Sequence, residues 1–235
     1  MPPFTPPPDN SCIKLVQSFQ ELVATPFADR VNALCWPRVL PGDFGEIVER
    51  LNVSEGITNL DEARLIALRL SAAGQIARDT LLADLELLRA HALAPELNCL
   101  QSYPRDDDAV VCTDVYSFHA DRAPVAASTY LCTYYGPSSE GLRNEDAQRR
   151  VDLPATRAEL LQLFGGNDDE SFREFLCENC YDLHYAPAPA AQPYSFGLGN
   201  LWRIAIAYPG CPVPPCIHRA PENIPGQPPR LLLIS

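Results

Sequence analysis

His119 and Asp121, one residue apart in Phe118-His-Ala-Asp121, offer an imidazole and a carboxylate that an extended chain turns to the same side. A second imidazole, His218, lies far downstream between a proline cluster and Arg219-Ala-Pro221. Two imidazoles and one carboxylate on one face of an octahedral iron(II) leave three positions open, two for a bidentate 2-oxo acid and one for dioxygen. Arg230 opens the otherwise apolar segment Arg230-Leu-Leu-Leu-Ile-Ser235, after a turn rich in Pro, Gly and Asn. A strand–turn–strand hairpin from His218 brings its guanidinium toward the metal, where its fork of donors matches the distal carboxylate of 2-oxoglutarate. Tyr130 and Tyr134 share one face of the strand after the His-x-Asp pair, and either hydroxyl is placed to assist. Each piece also has a plainer reading. His-x-Asp is a common surface pair, a lone loop histidine is more often hydrogen-bonded than ligating, and an arginine can simply cap an edge strand. The order of the pieces along the chain favours the metal.

The cysteines compete for the same role. There are nine, an odd count suited to reduced thiols rather than a disulfide framework. Cys177-Glu-Asn-Cys180 and Cys211-Pro-Val-Pro-Pro-Cys216 form two close pairs that could supply a tetrahedral structural zinc(II), with His184 as a substitute ligand. Packed thiols are the plainer reading and the favoured one.

The elements that must position these groups change character along the chain. Apolar spacing predicts helices over 12–24, from an Asp43 cap to Leu51, from a Thr58 or Asn59 cap through Leu70, and over 79–91. From about 98 onward, β-branched and aromatic runs at 110–118, 125–135, 201–208 and 230–235 read as strands. Helices are expected at 156–164 and 168–178. Residues 1–11 read as a disordered proline-rich tail, with one domain over 12–235. Its helical part spans about 12–95 and its β core about 98–235. The insert at about 138–200 is the expected lid, with Gly165, Gly166 and Gly197 as hinges. The fold class is α+β, with the helical region packed on a small jelly-roll or cupin-like barrel.

Bulk properties narrow the partners. A net charge of −12 opposes nucleic acid. No run approaches the ~20 apolar residues of a membrane helix. Met1 to Pro8 has neither a basic start nor an apolar segment, so a cytoplasmic location and a small-molecule substrate are expected. Asp106-Asp-Asp108 and Asp168-Asp-Glu170 read as solvated turns or a helix start. Trp36 and Trp202 read as core or pocket-wall rings, and His91 as a helix-ending residue.

Three short motifs carry a resemblance. Phe118-His-Ala-Asp-Arg-Ala-Pro124, Thr133-Tyr-Tyr-Gly-Pro137 with Glu140, and His218-Arg-Ala-Pro221 followed by Arg230-Leu-Leu-Leu233 resemble the Fe(II)/2-oxoglutarate dioxygenase superfamily. Within it they are most similar to an uncharacterised family known only as a domain of unknown function. The likeness covers residues 34–235 and includes a Trp-x-Arg opening, Trp36-Pro-Arg38. It implies a double-stranded β-helix core, iron(II) held by His119, Asp121 and His218, and Arg230 on the 2-oxoglutarate cosubstrate. It implies an oxidoreductase, with hydroxylation as the default outcome. The alternatives are a cupin-like metal-binding protein without oxygenase activity and a zinc-stabilised interaction module. The sequence departs from the family pattern at Gly141, where a tryptophan is expected nearby, and in a longer stretch from about 143 to 196.

Overall fold

The β-rich second half does build strands, but three short strands from the first half join them. The computed structural model describes residues 6–7, 11–105 and 108–235; most of the proline-rich tail and Asp106–Asp107 lie outside the described residues. In chain order the elements are β1 (Ile13–Leu15), α1 (Phe19–Ala24), β2 (Ala33–Trp36), α2 (Phe44–Leu51), β3 (Ile57–Asn59), α3 (Glu62–Ala67) and α4 (Ala72–Arg89). There follow β4 (Glu96–Leu100), β5 (Phe118–His119), β6 (Ser128–Tyr135), β7 (Glu140–Leu142) and β8 (Ala147–Arg149). The chain ends with α5 (Pro154–Phe164), α6 (Glu170–Glu178), β9 (His184–Pro187), β10 (Tyr194–Ser195), β11 (Leu201–Ala205), β12 (Ile217–Arg219) and β13 (Arg230–Ile234).

Two sheets result, in a mixed α+β arrangement. The seven-stranded sheet runs β1-β2-β11-β6-β13-β4-β3, and the six-stranded sheet runs β10-β7-β12-β5-β9-β8. Strand alternation gives the larger sheet two distinct faces. One face, with Tyr130, Cys132, Tyr134, Leu231 and Leu233, packs on the apolar sides of α1, α2 and α4 through Phe19, Ile47, Leu81, Leu85 and Leu88. The other, with Leu131, Trp202 and Ile204, meets Tyr194, Phe196 and Cys216 from the smaller sheet's side. That second layer is where the two sheets touch.

Several expected boundaries shift, each for a local reason. The helix expected over 12–24 is β1 followed by α1, because the Ser18 side chain accepts from Glu21 N and starts the helix there. Asp43 caps α2 as expected. Neither Thr58 nor Asn59 is a cap: both lie in β3, and Asp61 and Ser71 cap α3 and α4 instead. The strand expected over 110–118 shrinks to Phe118–His119, because Asp114 Oδ1 accepts from the amides of Tyr116 and Ser117 and turns the chain before it.

The lid expectation also changes. The 138–200 stretch supplies β7, β8, β9 and β10, four strands of the smaller sheet. Only its middle, α5 and α6, stands apart, on a small core of Val151, Leu160, Phe172 and Leu176 closed by Val111. Gly165 is the left-handed residue that ends α5, at φ +72°, a turn role that needs no hinge motion.

Candidate metal centre

Register across the smaller sheet aligns one residue from each of five strands. Tyr194 pairs with Gly141, Gly141 with His218, His218 with His119, and His119 with His184. Directly paired residues share a face, so the three histidines form one row. Gly141 is the gap in that row. A Cβ there would fall 2.3 Å from Tyr194 Cζ and 2.7 Å from Phe196 Cε1. No larger residue fits without moving both rings, which accounts for the glycine where a tryptophan was expected nearby.

The His119 and His218 rings each face a backbone carbonyl. His119 Nδ1 donates to Ser117 O at 2.8 Å, and His218 Nδ1 lies 3.4 Å from Cys216 O. A carbonyl can only accept, so the proton sits on Nδ1 and the Nε2 lone pair is left for a ligand. Asp121 reaches the same spot from just beyond β5. Its Oδ1 stands 3.9 Å from His119 Nε2 and its Oδ2 3.8 Å from His218 Nε2. Thr129 Oγ1 donates to Oδ2 at 2.5 Å from across the sheet interface.

The three ligating atoms lie within 4.8 Å of one another. The 3.8 and 3.9 Å separations are too long for hydrogen bonds. They are short enough for a single ion with ligand bonds of about 2.1 Å to bridge after slight side-chain rotation. Asp121 keeps 31% of its side chain exposed, so the ligand set opens to solvent on the carboxylate side.

The charge states suit a divalent cation. Burial, then the neighbouring His218 ring, pushes the His119 pKa down to about 4, against weaker support from Ser117 and Asp121. Burial opposes ionisation of Asp121, but His218, the Thr129 hydroxyl and His119 together hold its pKa below the usual carboxylate value. At neutral pH the site therefore holds a neutral His119 ring and an ionised carboxylate, so the cation displaces no proton from either.

The other expected site residues separate. Tyr130 and Tyr134 do share a face, but it is the helix-side face. The Tyr134 hydroxyl donates to Asp84 on α4 at 2.6 Å, and Tyr130 packs in the helix-side core. The opposite parity, Thr129 and Thr133, faces the smaller sheet. Arg230 also faces inward, but not through a hairpin with His218, because β12 and β13 belong to different sheets. Its Nε donates to Pro137 O at 2.7 Å and its Nη2 to Ser139 Oγ at 2.9 Å, while Nη1 is buried without an acceptor.

The four cysteines of the alternative zinc site do not gather. Cys177 and Cys180 are exposed, and Arg122 Nη1 donates to Cys177 Sγ at 2.8 Å. Cys216 is buried at the sheet interface, and Cys211 Sγ donates to Val213 O. Among the described residues, His119, Asp121 and His218 form the metal-ligand cluster and no cysteine joins it.

Sequence reasoning missed Thr129, Ser117 and the adjacency of His184 to His119. Their roles depend on cross-strand register, and no local motif encodes that. No family model, curated protein or solved structure matches this chain.

Proposed function

We propose that this chain is a non-haem iron(II), 2-oxoglutarate-dependent oxygenase acting on a small molecule, and that its two sheets form a double-stranded β-helix. The observation carrying this reading is the meeting of His119, Asp121 and His218, distant in sequence, with ligating atoms within 4.8 Å. Two imidazoles and one carboxylate suit iron(II) with open positions. Iron(II), when bound there, supplies dioxygen activation coupled to oxidation of a 2-oxo acid, and hydroxylation of a substrate C–H bond is the default result.

The chain's own residues support the cosubstrate half of the reading. Two of its unpartnered buried polar atoms are Thr133 Oγ1 and Arg230 Nη1. Thr133 pairs with Leu232 on the adjacent strand, two residues along from Arg230, and both side chains face the smaller sheet. A buried guanidinium nitrogen and a buried hydroxyl without partners call for an acceptor, and a carboxylate supplies two oxygens. Pro137 O and Ser139 Oγ fix the guanidinium plane, so Arg230 orients that carboxylate rather than merely attracting it. Leu131, Phe196 and Trp202 pack between the sheets and make that interior apolar.

The test is uncoupled turnover. Protein reconstituted anaerobically with iron(II), then given 2-oxoglutarate and air, is expected to form succinate without any added substrate. Arg230→Ala is expected to keep iron and weaken 2-oxoglutarate binding. If iron binds but no succinate forms, coupled or uncoupled, the oxygenase reading fails. One observation favours a second reading, a cupin-like metal-binding protein without oxidation: the cavity lined by Arg230, Tyr103 and Tyr116 has a volume of only about 20 Å³. That reading predicts metal binding with no response to 2-oxoglutarate.

A further inference from the structure

A cluster of arginines lies beside the strand that carries His119, in a chain whose overall charge is −12. Arg105, Arg150 and Arg219 line a concave pocket of about 270 Å³ whose floor includes Ser117 and Phe118. Two of these guanidiniums sit over aromatic rings. Arg219 Cζ is 4.5 Å from the centre of the Phe118 ring, and Arg105 Cζ is 4.7 Å from that of Tyr116. Stacking occupies the face of a guanidinium and leaves its in-plane N–H groups to hydrogen-bond around the rim.

The acids in the pocket do not balance the third arginine. Asp114 turns its Oδ1 to the backbone amides of Tyr116 and Ser117. Glu222 reaches Arg219 at 3.2 Å and Arg105 at 3.6 Å, and Glu140 takes Arg219 at 2.8 Å. Arg150 has no carboxylate partner among the described residues, and its Nε is buried without an acceptor. A half-buried cation with an orphaned donor costs stability unless an anion completes it.

We infer that this pocket binds a small oxyanion, a carboxylate or phosphate group, through Arg150 with Arg105 and Arg219. The volume selects the class: about 270 Å³ falls below the range of drug-sized ligands, so a free phosphate or a small polycarboxylate fits and a dinucleotide does not. The inference stands apart from the metal reading, since no residue of the pocket is a metal ligand. Its occupant would nonetheless lie against Ser117, whose carbonyl holds His119 and whose hydroxyl is 3.4 Å from His184 Nδ1.

Titration calorimetry of the full metal-free chain with inorganic phosphate, and separately with citrate, tests the site. Saturable binding of at least one anion is expected, and the stronger one identifies the chemistry. Arg150→Gln is expected to weaken it at least about tenfold, and Arg150→Lys, which keeps the charge but loses the planar fork, to weaken it less. Arg105→Gln, at the exposed rim where folding is not at risk, is expected to give a smaller loss in the same direction. Metal affinity is expected to be the same in all three variants. No saturable binding of either anion up to about 10 mM, or unchanged affinity in Arg150→Gln, would overturn the inference.

Discussion

The two faces of the seven-stranded sheet treat buried polar groups in opposite ways. On the helix side, Arg38 donates to Asp84 at 2.7 Å, to Gly199 O at 2.9 Å and toward Cys132 Sγ, and Tyr134 closes the set on Asp84. Both charges of this set are matched, and Asp84 ties it to α4. On the sheet side, Thr133 and Arg230 hold buried atoms without partners, and the three ligating atoms of His119, Asp121 and His218 stand close to one another without touching. A closed polar network fastens helix to sheet, whereas an open one is a place where something binds. The comparison separates the polar residues that stabilise the fold from those that wait for a ligand.

That contrast can be broken from either side. The largest expected effect is on the ligand side: Asp121→Ala and His218→Ala should each abolish stoichiometric iron(II) binding, read by metal analysis, while circular dichroism stays native. Loss of fold in both variants would mean that the triad is structural. On the helix side, Asp84→Ala leaves Arg38 as an uncompensated buried charge and should cost about 3–5 kcal/mol in denaturant unfolding. Its metal affinity should not change, and a large change would show that the two faces are coupled.

Smaller effects sharpen the same division. Thr129→Val removes the hydroxyl that holds Asp121 Oδ2 and should weaken metal binding about 10–100-fold, with Thr129→Ser restoring most of it. Equal affinity in Thr129→Val would show that the carboxylate needs no support. The smallest effect concerns acid. Burial pushes the pKa values of His119 and His184 down to about 4 from 6.5, so the unfolded chain takes up protons first. The metal-free protein should keep these rings' full contribution above pH 6.5 and lose it as pH falls toward 4. His184→Gln should flatten that decline in a pH series of unfolding midpoints, and an unchanged slope would mean that the ring is not buried neutral.

What could be read in advance follows from how local each feature is. His119 and Asp121 were legible because a two-residue spacing on a strand fixes a shared side without further information. Tyr130 and Tyr134 were legible as a pair but not as a pair facing the helices, since parity says which residues share a face and not what covers it. The three-residue strands β1 and β3 and the two-residue β5 are too short to show a period. The Cys177 and Cys211 pairs matched a zinc spacing, yet one pair ends an exposed helix and the other runs into the sheet interface. Spacing along the chain carried no information about the distance between them.

By itself the amino-acid sequence determined the ligand types, the side that His119 and Asp121 share, the caps of α2 and α6, and the inward-facing arginine that opens the last strand. Those features depend on bonded geometry over a few residues. Tertiary structure alone decided that His218 lies opposite His119, that Thr129 rather than a tyrosine reaches Asp121, and that Gly141 must lack a side chain beneath Tyr194 and Phe196. Each of these is a matter of register between strands distant in sequence, and register is set by the packing of whole faces.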